Sequence, residues 1–179
     1  ELVGKDFSSQ LKRYVAMDLV EDYFDDKNEP TDIRDRQIRA LAEQCLANPE
    51  LLSPELSWLV TEEAKNGYRF GYELAKLDTS NSFLKDILEA QRTPTPHSTP
   101  FFLSGYMRAL FEGNPTRWEQ LLDEFVSDNQ MRIHVPELTC RSGMTDQAAI
   151  RILKLAEAGQ MQVERFGMFC LGSVIKDLS

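Results

Sequence analysis

Apolar residues recur along this chain at the three- and four-residue spacings of amphipathic helices, and no stretch alternates convincingly as a half-buried strand requires. A first helix is predicted from about Ser8 to Asp25. Leu11, Tyr14, Val15, Met17, Leu19, Val20, Tyr23 and Phe24 fall largely along one side of it, and Asp18, Glu21 and Asp22 fill the other. The run Asp25–Pro30 ends it, since proline disfavours helix at the preceding residue. That run lacks the central glycine and twelfth-position glutamate of an EF-hand, so it does not read as a calcium loop. Thr31-Asp32 offers an N-cap for a second helix carrying Ile33, Ile38, Leu41, Ala42, Cys45 and Leu46, stopped at Asn48-Pro49.

Ser53-Pro54-Glu55 combines a capping hydroxyl, a proline at the first helical position and an acidic first turn, predicting a helix from Pro54 through about Asn66. Gly67 and Gly71 either break the next stretch or admit a neighbouring backbone while Tyr68, Phe70 and Tyr72 pack around it. The favoured expectation is a break near Gly67, followed by helix to Leu77. A short helix after Thr79-Ser80 buries Phe83, Leu84, Ile87 and Leu88. Three prolines between Arg92 and Pro100 make an extended connector, read as a loop, a hinge or a docking motif.

Thr99-Pro100 then opens a helix that is apolar over much of its circumference (Phe101, Phe102, Leu103, Tyr106, Met107, Leu110, Phe111) and closes at Gly113. Asn114-Pro115 starts another, with Trp118, Leu121, Leu122, Phe125 and Val126 inward. Asn129–Met144 reads as a loop with one helical turn at Pro136–Leu138. Thr145-Asp146 starts a helix burying Ala148, Ala149, Ile152, Leu153, Leu155 and Ala156 and ending at Gly159. Val163–Leu178 spaces Val163, Phe166, Cys170, Val174 and Leu178 helically. The expected fold is all-α, an irregular α-solenoid or helical-hairpin array of about eight helices. It divides into 1–92, a connector 93–100 and 101–179, within one continuous domain.

A short internal echo adds to this pattern. Pro54-Glu55-Leu56-Ser57-Trp58 reappears as Pro136-Glu137-Leu138-Thr139-Cys140, and Arg69 and Arg151 keep the same 82-residue offset. That is roughly twice the ~40–47-residue period of two-helix repeats. With the helix pattern around it, the arrangement resembles HEAT or armadillo repeats at the level of architecture. The resemblance implies stacked helices that present a concave face to a protein partner. Arg69 and Arg151 are expected to play an equivalent structural part, bonding helix C-terminal carbonyls.

Composition narrows the function classes. A 42% hydrophobic and 27% charged chain has the content of an ordinary globular protein. No run approaches the ~18 apolar residues that span a bilayer. The net charge of −9 is concentrated in residues 1–92, with 12 basic against 19 acidic side chains, and disfavours general nucleic-acid affinity. Three cysteines without framework spacing suit a reducing compartment, and the cytoplasm is the expected location. The first residue, Glu1, and the helix-like end suggest a piece of a longer polypeptide or a processed N-terminus.

Candidate chemistry is sparse. His97 and His134 are the histidines, and neither belongs to Glu-x-x-His or His-Glu-x-x-His; Cys-x-x-Cys, phosphate-loop and Gly-x-Ser-x-Gly patterns are absent. No metal or cofactor is expected. Cys140, with His134 six residues earlier and Arg141 beside it, is the candidate for a cysteine-dependent enzyme. Its place in the echo, where Trp58 stands in the first copy, favours packing instead. Arg132, His134, Arg141, Arg151 and Lys154 could bind phosphate or an acidic peptide if they share one exposed face. The leading expectation is a non-catalytic interaction or regulatory module that binds a protein through its loop-rich edges, residues 92–100 and 129–144, with Tyr68, Tyr72 and Arg141. The alternative is a nucleic-acid-contacting helical repeat within a larger complex.

Overall fold

A computed structural model describes residues 6–16, 30–93, 95–161 and 167–170. The described residues are all-α: ten α-helices with short 3-10 and π turns, and a lone antiparallel bridge, Thr61 with Ser98. The expected all-α fold is what forms, and the segment 129–144, expected as a loop, adds a helix to it. Met17–Asp25, Pro94 and most of the predicted final helix lie outside the described residues. The chain forms two compact units, residues 1–106 and 107–179.

In the first unit, Asp6 caps α1 (Phe7–Leu11) by accepting from Ser9 N–H at 3.0 Å, and a π turn over Lys12–Ala16 follows. Leu11 and Val15 are fully buried, as the periodicity predicts. α2 (Pro30–Ala47) inters Ile38, Leu41, Ala42 and Cys45 against α4 (Gly67–Leu77), but Ile33 and Leu46 lie on its exposed side. The helix expected over 54–66 is reduced to a 3-10 turn, Ser53–Glu55, and the single turn α3 (Leu56–Leu59). Here local bonding diverts the chain. Trp58 Nε1 donates to Glu55 Oε2 at 2.6 Å and Thr61 Oγ1 to Trp58 O at 2.7 Å, closing the turn instead of extending it.

α4 begins at Gly67, where a break was expected, and Gly71 also has the second role considered for it. A Cβ on Gly71 would fall on the Phe102 carbonyl oxygen, and one on Gly105 on the Tyr68 carbonyl oxygen. Two bare backbones therefore cross here, with Phe70 and Phe102 stacked beside them at 5.7 Å. α5 runs from Leu84 to Arg92. Phe83, not Thr79-Ser80, stands at its N-cap, and no side chain bonds its first turn. The Asp78 carboxylate instead closes the turn before it, accepting from Ser82 N–H at 2.8 Å and Phe83 N–H at 3.0 Å.

α6 spans Phe101–Gly113. In the second unit, Asn114 caps α7 (Pro115–Ser127) through Arg117 N–H, and Thr145 caps α9 (Asp146–Glu157) through Ala148 N–H, both as predicted. The expected 129–144 loop is mostly helical: a 3-10 turn, Arg132–His134, leads into α8 (Val135–Ser142). Pro136 suits a first turn, and buried Val135, Leu138 and Thr139 give α8 an inward side despite its turn-rich surroundings. α8 packs against α7, α9 and the short α10 (Gly167–Cys170). Trp118, fully buried, donates from Nε1 to Ser142 Oγ at 2.8 Å and meets the Phe111 ring edge-on at 4.9 Å.

The 82-residue echo extends to the order of elements. Moved on by 82, the span 30–47 encloses α7, 53–59 falls on α8, 67–77 overlaps α9, and 84–92 contains α10. The packing is not a copy, because α2 lies on α4 while α8 sits among α7, α9 and α10.

Candidate functional site

Two hydrogen-bonded chain reversals frame a cleft of the second unit. The first follows α7, where Asp128 Oδ1 accepts from Gln130 N–H at 2.9 Å and Met131 N–H at 3.3 Å. Asp128 O accepts from Arg132 N–H at 2.9 Å, which sets the 3-10 turn in place. The second ends α9. Gly159, at φ +67°, lets Gln160 N–H reach Leu155 O at 2.8 Å and Gly159 N–H reach Ala156 O at 2.9 Å, a Schellman closure that needs a left-handed residue.

Between them lies a cleft of about 370 Å³. Its apolar wall is Ile133, Pro136 and Met161, and its polar rim is Asn129, Arg132, Gly159 and Gln160. Ile133 is 56% exposed, a large aliphatic side chain left open to solvent. Arg132 is half-buried, and its Nε donates to the Val126 carbonyl at 2.6 Å, one of the carbonyls that the last turn of α7 leaves unbonded. Sequence reasoning had assigned that duty to Arg69 and Arg151; Arg132 performs it.

The other expected site residues divide. Arg151 is buried and bonded to Asp123 Oδ1 from Nε at 2.9 Å and to Glu119 Oε2 from Nη2 at 2.7 Å, so it is not on an exposed basic face. Arg141 is bound to Glu137 at 2.8 Å, four residues back on α8. Lys154 is exposed on α9 and His134 half-buried in the 3-10 turn. In the first unit, Tyr68 packs on Phe101 with ring centroids 5.6 Å apart, and the Lys76 ammonium lies over the Tyr72 ring at 5.2 Å. Both tyrosines are half-buried.

The proline-rich connector is tied down where it is described. Glu62 N–H bonds His97 O at 3.0 Å and Thr99 N–H bonds Val60 O at 2.9 Å.

Cys140 is half-buried, and its Sγ donates to Met168 O at 3.5 Å. Burial raises its thiol pKa above the ordinary value; Arg141 acts the other way, and Glu137 adds to the rise. That direction keeps the group a thiol, opposite to the activation a nucleophile needs. Cys45, fully buried beside Glu55, is pushed up to about 12. Among the described residues no three His, Cys, Asp or Glu side chains come together as metal ligands, and no helix is long and apolar enough to cross a membrane.

Of the cleft residues, Arg132 alone had been marked from composition. Asn129, Ile133 and Pro136 fell inside the loop-rich segment 129–144, but Gly159 read as a helix stop, and nothing in the sequence brings Gln160 and Met161 to the same cleft. Comparison of the chain with family models, with curated proteins and with solved structures finds no match.

Proposed function

We propose that this chain is a non-catalytic helical interaction or regulatory module that takes a segment of a protein partner into the cleft beside Arg132 and Ile133. The observation that carries the reading is an aliphatic side chain left open on a cleft whose two edges are set in advance by hydrogen-bonded turns. A preformed site spares the ordering cost that a floppy one would incur on binding. The repeated order of elements at the 82-residue offset supports a HEAT- or armadillo-like kinship of architecture. Two buried or half-buried cysteines that stay free support a cytoplasmic setting. Nucleic-acid contact is the weaker reading, because Arg151 is withdrawn from the basic set and the chain is acidic.

A photo-crosslinking residue at position 133 of the full chain tests this in cells. A defined protein adduct from 133, absent when the probe replaces exposed Glu124 on α7, is the expected result. Nucleic-acid adducts, or the same adducts from both positions, would overturn the proposal.

A further inference from the structure

Resting on that reading of the cleft, we infer that the segment it takes carries a single carboxylate next to an aliphatic side chain, the carboxylate on Arg132 and the aliphatic group against Ile133, Pro136 and Met161.

The inference starts from charge pairing. Arg39, Arg69, Arg108, Arg117, Arg141 and Arg151 each reach an aspartate or glutamate. Arg132 instead bonds a backbone carbonyl through Nε, and among the described residues no carboxylate pairs with it. A guanidinium has five N–H groups, so the terminal fork remains for an acceptor. A carboxylate matches that fork in shape as well as sign. The Val126 bond fixes the side chain before any ligand arrives, so little rotamer freedom is lost on binding.

The same cleft defines the rest of the ligand. Its volume of about 370 Å³ is near the lower end of binding pockets, room for a few side chains and not for a helix. Ile133, Pro136 and Met161 offer an apolar wall, while the amides of Asn129 and Gln160 can bond an extended backbone. Arg132 is the one cation among the residues lining the cleft, so one acid among apolar neighbours fits better than an acidic run or a nucleic acid.

The test is a methyl NMR titration of the full chain, labelled at Ile and Met, with acetyl-Leu-Asp-Leu-amide, acetyl-Leu-Asn-Leu-amide and acetyl-Leu-Lys-Leu-amide. Saturable shifts of the Ile133 and Met161 methyls are expected with the Asp peptide. The Asn peptide should bind at least about tenfold more weakly, the usual worth of a hydrogen bond to a charged group. Arg132→Gln should bring the Asp peptide down to the Asn peptide's affinity, and Arg132→Lys should recover part of the difference. If Arg132→Gln fails to fold for want of the Val126 bond, the Asp and Asn peptides on the unaltered chain decide alone. Equal affinities for those two, or no shifts at these methyls while position 133 still crosslinks a protein, overturn the carboxylate assignment and leave the partner reading standing. No shifts and no crosslink overturn both.

Discussion

The phenol of Tyr106 donates a 2.7 Å hydrogen bond to Asp78 Oδ2 in the interior of the first unit, joining α6 to a residue 28 positions earlier. Asp78 is 1% exposed, and its carboxylate accepts five hydrogen bonds: from Ser80 Oγ, Ser82 N and Oγ, Phe83 N and Tyr106 Oη. One carboxylate therefore closes the turn before α5 and anchors α6. Removing the phenol by Tyr106→Phe should cost about 1.5–3 kcal/mol, the range for hydrogen bonds to charged groups. Asp78→Ala should cost more, on the order of 3 kcal/mol or above, because it also leaves the Ser82 and Phe83 amides without their acceptor. Urea unfolding at neutral pH measures both, and a near-neutral Tyr106→Phe would show the bond to be idle.

The same pair predicts a pH dependence. Burial alone would raise the Asp78 pKa, but the bonds from Phe83 N–H, Tyr106 and Ser82 outweigh it and hold the carboxyl below its ordinary value. In the unfolded chain the group titrates near ~3.9, so below that pH the unfolded state binds the extra proton first. Its stabilisation is thus present above about pH 4 and is lost as pH falls through the lower folded value. The stability gap between the unaltered chain and Asp78→Asn should shrink as pH drops through that window. Tyr106, raised by burial and then by Asp78, gives the opposite edge: stability declines once pH exceeds the free phenol's ~10.

Gly71→Ala and Gly105→Ala should each destabilise by about 3 kcal/mol or more, since the added methyl meets carbonyl oxygens of a facing helix and not a flexible side chain. Gly113→Ala is the control. Nothing lies within 4 Å of its Cβ position, so it should be neutral or stabilise by about 0.4–1 kcal/mol through the unfolded state. Thermal melts of the three variants decide the matter.

Arg69 and Arg151, equivalent in the echo, should differ in worth. Arg69 is 45% exposed and meets half-exposed Asp35 at 2.9 Å and the buried Glu73 only at 3.5 Å, so Arg69→Ala should cost about 1–2 kcal/mol. Arg151 is 6% exposed between Glu119 and Asp123, and Arg151→Ala should cost about 2–4 kcal/mol by stranding Glu119. Equal costs in chemical denaturation would show that burial does not set the difference.

Cys140 should alkylate more slowly at neutral pH than a free thiol, because its pKa is raised. Peptide mapping after iodoacetamide gives the rate. Fast modification, or an activity lost in Cys140→Ser, would restore the cysteine-enzyme reading.

Where the sequence was legible, a strong local rule governed the chain. Asn114, Thr145 and Gly159 acted as cap or stop because side-chain and left-handed bonding at those places outcompete the alternatives. Ser53-Pro54-Glu55 carried equally good start signals, yet Glu55 turned to Trp58 and the helix stopped after a turn. The 129–144 segment failed in the other direction. Its helix is stabilised by burying Val135, Leu138 and Thr139, a tertiary contribution that turn-rich neighbours conceal. Gly105 sat unnoticed in an apolar helix because its partner backbone is far away in sequence. The cleft was unreadable for the same reason: Arg132 and Gln160 belong to different reversals, and no local pattern announces that both line it.

The chain's two indoles are divided between the units, Trp58 within 1–106 and Trp118 within 107–179. Each sits against a different hydrogen-bond partner, a carboxylate for Trp58 and a hydroxyl for Trp118. Fluorescence of Trp58→Phe and Trp118→Phe variants therefore provides an intrinsic optical reporter for each half. A shared midpoint would mark a single cooperative melt, and two midpoints would mark halves able to open separately, which is what a module gripping its partner in one of them could exploit.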